Sequence, residues 1–270
     1  MKGSLNVFIL IIVRCLQELG VMEKLRHDNI QVLRGFVEFD GSPAIVSKYY
    51  ANGSLLYQLK LAARNSKKLK EHFLWQRRLK YAMDIAKAIE CMHSKQPPIV
   101  HRDLKAHNCF IDEHWNCLVG DFGFTKAATA QSTENEIWSC PTNPMWLAPE
   151  TLSENGAFTC ASDIYAFGMT LYEMLMFKAP WPNMYHLKLS NMISQGERPA
   201  IPKPEKLIGV KDDNARFLSS GAFDMYIDLM KACWSHNPED RPHIKEVFAE
   251  LKGIDKILGS QNRGASSSSQ

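Results

Sequence analysis

No stretch of this chain is both long and apolar enough to cross a bilayer. The most apolar run, VFILIIV at 7–13, is about a third of the roughly 20 residues a spanning helix needs. A lysine precedes it, but no small-residue cleavage site follows, so a buried strand or helix start is the better reading and a targeting segment the alternative. Charge of one sign is lacking as well. The 32 Lys and Arg are matched by 29 Asp and Glu, for a net charge of +3, which argues against a dedicated nucleic-acid or anionic-membrane surface. One locally basic run, RNSKKLKEH at 64–72, reads as a solvated loop. A disulfide framework is missing too: Cys15, Cys91, Cys109, Cys117, Cys140, Cys160 and Cys233 are odd in number and lack paired spacing. They suit free thiols in a reducing, cytoplasmic compartment. Internal repeats are absent, and the only low-complexity segment is the tail GSQNRGASSSSQ (259–270), which has nothing to bury and is expected to be disordered.

What remains is ordinary globular material, 45% hydrophobic and 23% charged over 270 residues, enough for about two lobes. Leu16, Leu19, Met22 and Leu25 recur on one face of a helix. QVLRGFVEF and SPAIVSKYY, separated by Asp40-Gly41, predict two antiparallel strands. Asn52-Gly53-Ser54 is a breaker followed by an N-cap, and helices dominate from there. Residues 73–95 carry the stripe Leu79, Ala82, Ile85, Ala86, Ile89 and Met92; residues 161–177 are apolar on nearly all sides; 225–234 and 244–254 follow the same period. The expected class is α+β, a small piece with strands ahead of a larger helical body.

The chemistry is concentrated in IVHRDLKAHNCFIDEHWNCLVGDFGF (99–124), whose residue types admit a metal site, a phosphate-transfer site or a polar loop. His107, Cys109, His114 and Cys117 lack the C-x-x-C spacing of a zinc site. The ordered set H-R-D-L-K-x-x-N at 101–108, Asp121-Phe122-Gly123 and then Ala148-Pro149-Glu150 resembles the protein kinases. That resemblance implies a two-lobe fold with an incomplete small-lobe sheet (1–52), a complete helical lobe (53–258) and the tail. It implies ATP and Mg2+, and transfer of the γ-phosphate to protein hydroxyls. Asp103 would orient the acceptor hydroxyl, Lys105 would neutralise the transferring phosphoryl group, and Asn108 and Asp121 would supply oxygen ligands to Mg2+.

By the same resemblance Ser47 is the gatekeeper, the backbones of Lys48 and Tyr50 face adenine, and Phe110 contributes to the nucleotide site. Asp163 anchors the catalytic loop and Glu150 pairs with Arg241. Met22, Leu33, His101 and Phe122 sit where the family stacks a regulatory spine, a role indistinguishable in sequence from core packing. LWQRRLKYAMDIAKAIECMHSKQPPIVHRDLK, GERPAIP and CWSHNPEDRP look most like the tyrosine-kinase-like group, and Lys105 favours serine or threonine acceptors, with tyrosine still possible. Asn143 stands where serine/threonine kinases usually carry a threonine that contacts the catalytic aspartate and lysine; an amide can make similar bonds. Arg102 implies pairing with an activation-segment phosphate, with Thr125, Thr129, Ser132, Thr133, Ser139 and Thr142 available and Ser132 and Thr133 ranked first.

The upper half of the resemblance is missing. No G-x-G-x-x-G precedes Glu18, the residue placed like the helix-C glutamate, and the only upstream lysine is Lys2, whose flanks do not match. Losing one preorganised donor at a charged transition state typically costs ~10²–10³ in rate. Three readings follow: a truncated kinase, VFILIIV as a replacement strand, or a kinase-like module that binds without efficient catalysis.

Overall fold

The computed structural model describes Gly20 and residues 23–39, 42–127, 143–153 and 156–266. Lys2, Glu18, Met22, the apolar run 7–13, and the hydroxyls Thr129, Ser132, Thr133, Ser139 and Thr142 lie outside the described residues.

The alternating residues of β1 (Leu33–Phe39) and β2 (Ser42–Ser47) pair antiparallel as the pattern predicts, Phe36 opposite Ile45 and Val37 opposite Ala44. The chain ahead of β1 is fixed to the larger body through its backbone. Gln31 N–H donates to Val119 O at 2.8 Å, Val119 N–H donates to Asn29 O at 2.8 Å, and the buried Asn29 Nδ2 donates to Cys117 O at 3.0 Å.

Gly53 takes φ 68°, a conformation only glycine adopts at little cost, and Ser54 Oγ then accepts Tyr57 N–H at 3.2 Å to start α1 (Leu55–Ala62). The basic run that follows is not a loop. Asn65 accepts Lys68 N–H at 3.1 Å and caps α2 (Ser66–His72), none of whose residues is buried. Lysine, leucine and glutamate are good helix formers, so a cap was enough to order a solvated segment.

α3 (Trp75–His93) buries the predicted stripe completely, Leu79 through Met92. After it come the short strands β3 (Ile99–Val100), β4 (Cys109–Ile111), β5 (Cys117–Val119) and β6 (Lys126–Ala127); β4 pairs with β5, Phe110 opposite Leu118, and β3 with β6. α4 (Cys160–Met176) is buried from Ser162 to Leu175. α5 (His186–Ser194) and α6 (Lys211–Ser219) were not anticipated from periodicity, being short and bounded by irregular chain. α7 (Ala222–Cys233) packs against α4 where Gly168 leaves no room for a side chain: a Cβ there would lie 2.9 Å from Cys233 Cβ. Each fully buried leucine, isoleucine, phenylalanine or methionine contributes ~1.5–3 kcal/mol, and α4 alone buries six such residues, from Ile164 to Leu175.

α8 runs Ile244–Ser266, past Gly259, so the predicted disordered tail is helical as far as Ser266. Its polar composition did not preclude helix continuing from the well-packed turns around Val247, Leu251, Ile254 and Leu258. The architecture is the expected α+β class, a small sheet beside a mainly helical body.

Candidate active site

The loop 101–108 is shaped by one buried carboxylate. Asp163, in the first turn of α4 and 1% exposed, accepts His101 N–H at 2.8 Å and Arg102 N–H at 2.9 Å. His93, the last residue of α3, meets the same carboxylate at 2.9 Å. Burial opposes charge on both partners. The hydrogen bond and mutual attraction win, raising the His93 pKa to about 9 and holding Asp163 below the usual carboxylate range. The pair is therefore an imidazolium facing a carboxylate at neutral pH. With it in place the chain holds Arg102 at φ 70° and Asp121 at φ 60°, positions that cost a non-glycine residue ~1–3 kcal/mol each.

Within the loop the predicted residues converge. Lys105 Nζ donates to both oxygens of the nearly buried Asp103, at 2.8 and 2.6 Å. Asn108 Nδ2 donates to Asp103 Oδ2 at 2.8 Å and to Asp103 O at 2.9 Å. Spending its NH2 on Asp103 fixes the Asn108 amide and leaves Oδ1 as a hard acceptor. Gly120 N–H donates to Asn108 O at 2.9 Å, which brings Asp121 to the same end of the loop. The Asp121 carboxylate is exposed and takes no hydrogen bond among the described residues. One amide oxygen and one carboxylate, both open, are hard oxygen donors of the kind that would hold a magnesium ion.

Phe110, on β4, stacks with Tyr50 at 5.8 Å and 20° and lies under Gly120, whose Cβ would sit 2.8 Å from Phe110 Cε2. Lys48 N–H donates to Val32 O at 3.0 Å and Tyr50 O accepts Gly53 N–H at 2.9 Å. The Lys48 carbonyl and Tyr50 N–H have no partner among the described residues. These are the backbone groups open to a base edge, while the Lys48 side chain turns to Glu113 at 3.0 Å.

Other expectations divide. Arg241 forms a two-pronged pair with Glu150 at 2.6 and 2.8 Å, as predicted. His101 and Phe122 meet in a tilted ring contact, centroids 5.4 Å apart at 52°, whereas Leu33 is only partly buried. Asn143 does not reach Asp103 or Lys105; its oxygen accepts Met145 N–H at 3.2 Å and caps the turn at Pro144–Trp146. Thr125 is no open hydroxyl, being 3% exposed and donating to His101 O at 3.2 Å. Among the described residues no three His, Cys, Asp or Glu side chains are placed to hold a metal ion; Cys109 and Cys117 are buried on β4 and β5.

Two residues were missed. Glu173, fully buried in α4, accepts Ala106 N–H at 2.8 Å and the Trp146 indole N–H at 3.0 Å with one oxygen, and its other oxygen is unpartnered. Burial pushes its pKa up to about 7 against the pull of those bonds and of Lys105 and Lys60. Its signal was a carboxylate in the last turns of an apolar helix. Gln31 has no such signal; its amide donates to Ser47 Oγ at 2.8 Å and accepts Asp121 N–H at 3.3 Å.

Known proteins resemble the chain over most of its length. Residues 12–251 match the family described as protein tyrosine and serine/threonine kinase. The chain belongs to the protein kinase family. It is 31% identical over 253 residues to the probable serine/threonine-protein kinase drkD of Dictyostelium discoideum, covering 92% of this chain and 17% of that protein. It is 31% identical over 244 residues to the serine/threonine-protein kinase CTR1 of Arabidopsis thaliana, covering 89% and 26%. Over 237 residues it is 30% identical to the putative serine/threonine-protein kinase/receptor R826 of Acanthamoeba polyphaga mimivirus, covering 87% and 12%. The chain thus spans about a quarter or less of these relatives. No helix among the described residues of this kinase-family chain is long and apolar enough to cross a membrane.

Proposed function

We propose that this chain transfers the γ-phosphoryl group of ATP to serine or threonine hydroxyls of protein substrates, as a member of the tyrosine-kinase-like group. The observation that carries the reading is the Asp103 carboxylate clamped by Lys105 and Asn108. The motifs around it and the serine/threonine kinase relatives support the acceptor class, and GERPAIP with CWSHNPEDRP supports the group.

Asp103, held by three hydrogen bonds from Lys105 and Asn108, receives and orients the acceptor hydroxyl; positioning two reactants in line is the larger part of catalysis in such transfers. Lys105, once drawn from Asp103 towards the phosphoryl oxygens, offsets their charge. Lys48 O and Tyr50 N–H take the adenine edge over Phe110. Asn108 Oδ1 and the Asp121 carboxylate would hold Mg2+, which would supply neutralisation of phosphate charge. The described residues up to Asn52 belong to the small lobe and those within 53–258 to the large one, joined at the turn before Ser54. The unpaired thiols Cys91, Cys109, Cys117, Cys160 and Cys233 support a cytoplasmic location.

A thermal-shift titration with ATP and Mg2+ tests nucleotide binding: the wild type should be stabilised and Asp121→Ala should lose most of that shift. Peptide or self-phosphorylation should vanish in Asp103→Ala, with phosphoserine or phosphothreonine as product in the wild type. No shift in the wild type, or transfer that survives Asp103→Ala, would overturn the assignment. ATP binding without transfer would make the chain a kinase-like binding module.

A further inference from the structure

Gln31 lies in neither the catalytic loop nor the Asp121-Phe122-Gly123 segment, yet its side chain connects the two sides of the nucleotide slot. Nε2 donates to the Ser47 hydroxyl, at the end of β2 on the adenine side, at 2.8 Å. Oε1 accepts the backbone N–H of Asp121, on the phosphate side, at 3.3 Å. The amide acts from a fixed base, because Gln31 N–H itself donates to Val119 O at 2.8 Å and Ile30 forms a parallel bridge to Val119.

Two features of the partner segment fit this bridge. Asp121 has φ 60°, in the left-handed region that few non-glycine residues adopt, aspartate being among those that tolerate it best. Gly120 exposes its Cα directly to the Gln31 amide, and a Cβ there would overlap both Oε1 and the amide carbon. Glycine at 120 is what lets the amide come close enough to reach the next N–H. Ile30 and Val32, the flanking residues, are apolar, so the donor and acceptor at 31 are a local exception in the strand lead-in. Both ends of the planar amide are in use, and a hydrocarbon of the same size would leave Asp121 N–H and Ser47 Oγ without partners.

We propose that Gln31 is a positioning residue for Asp121: its amide holds the Asp121 backbone in the left-handed conformation that presents the carboxylate to magnesium, and Ser47 orients that amide. The proposal rests on the reading of Asp121 as a magnesium ligand. Residues that orient metal ligands typically change metal affinity by ~10–100-fold when replaced.

The test uses the full chain with Gln31→Leu and Ser47→Ala, and two readouts. Hydrogen exchange at the Asp121 amide needs no ligand; it should speed up in Gln31→Leu and, to a smaller extent, in Ser47→Ala, while Val119 N–H stays protected. Calorimetric titration of ATP with Mg2+ and with EDTA should show about a tenfold loss of the magnesium-dependent gain in affinity in Gln31→Leu, with metal-free ATP binding unchanged. Unchanged Asp121 exchange in both variants, or an equal affinity loss with and without magnesium, overturns the proposal. If the wild type binds no ATP, the phosphotransfer reading fails, and Asp121 exchange alone still decides whether Gln31 holds that backbone.

Discussion

Raising the pH through the titration of His93 should loosen the anchor of the catalytic loop without altering a residue. His93 is 9% exposed at its side chain and bonds to Asp163 at 2.9 Å, which lifts its pKa to about 9 from 6.5. A folded pKa above the unfolded one means stabilisation that is complete below about pH 6.5 and lost as pH rises through about 9. At roughly 1.36 kcal/mol per unit the loss is about 3 kcal/mol. Asp163 is shifted the opposite way, so its contribution is present above its unfolded pKa and lost as pH falls through its lowered folded value. Both shifts arise from the same contact and count once. Urea unfolding at pH 6.5 and pH 10, on wild type and His93→Gln, isolates the effect: the wild type should lose about 3 kcal/mol more than the variant across that interval, a large share of the ~5–15 kcal/mol typical of a domain. Equal losses in the two proteins would refute the charged pair and the anchoring role drawn from it.

Glu173 predicts a slope of opposite origin: with its pKa raised to about 7 by burial, charging it in the folded protein is unfavourable, so stability should fall between its unfolded value and about pH 7 and then level. Glu173→Gln should remove that decline in urea titrations at pH 5 and pH 7.5, because the amide oxygen can still accept from Ala106 and Trp146. Arg241→Ala should cost ~3–5 kcal/mol by leaving Glu150 unpaired and Ala161 O, Ser235 O and His236 O without their donor; Arg241→Lys should recover less than half, lacking the planar fork, as thermal unfolding would show. Gly168→Ala gains ~1 kcal/mol of helix propensity but forces a Cβ against Cys233 and the Trp234 backbone, 2.9 and 3.1 Å away, so net destabilisation is expected from overpacking of ~1–3 kcal/mol. A rise in melting temperature would show that α4 and α7 can separate at little cost.

The sequence by itself determined which polar groups the loop brings together. Asp103, Lys105 and Asn108 lie within six residues, and local chain geometry brings them together once the loop is folded. Periodicity placed the core faces of α3 and α4, and the resemblance to the protein kinases named Asp163 and the Glu150–Arg241 pair. Tertiary structure alone decided the supports. Glu173 meets Ala106 across 67 residues and Gln31 meets Asp121 across 90. Such bonds leave no periodic trace, since neither partner's neighbours change when they form. The same limit applied to α2 and the end of α8, where polar segments gave no apolar stripe and a cap or a packed preceding turn supplied the order instead. Local pattern records which residues prefer to be together along the chain; which distant groups satisfy a buried amide or carboxylate is fixed only when the helices pack.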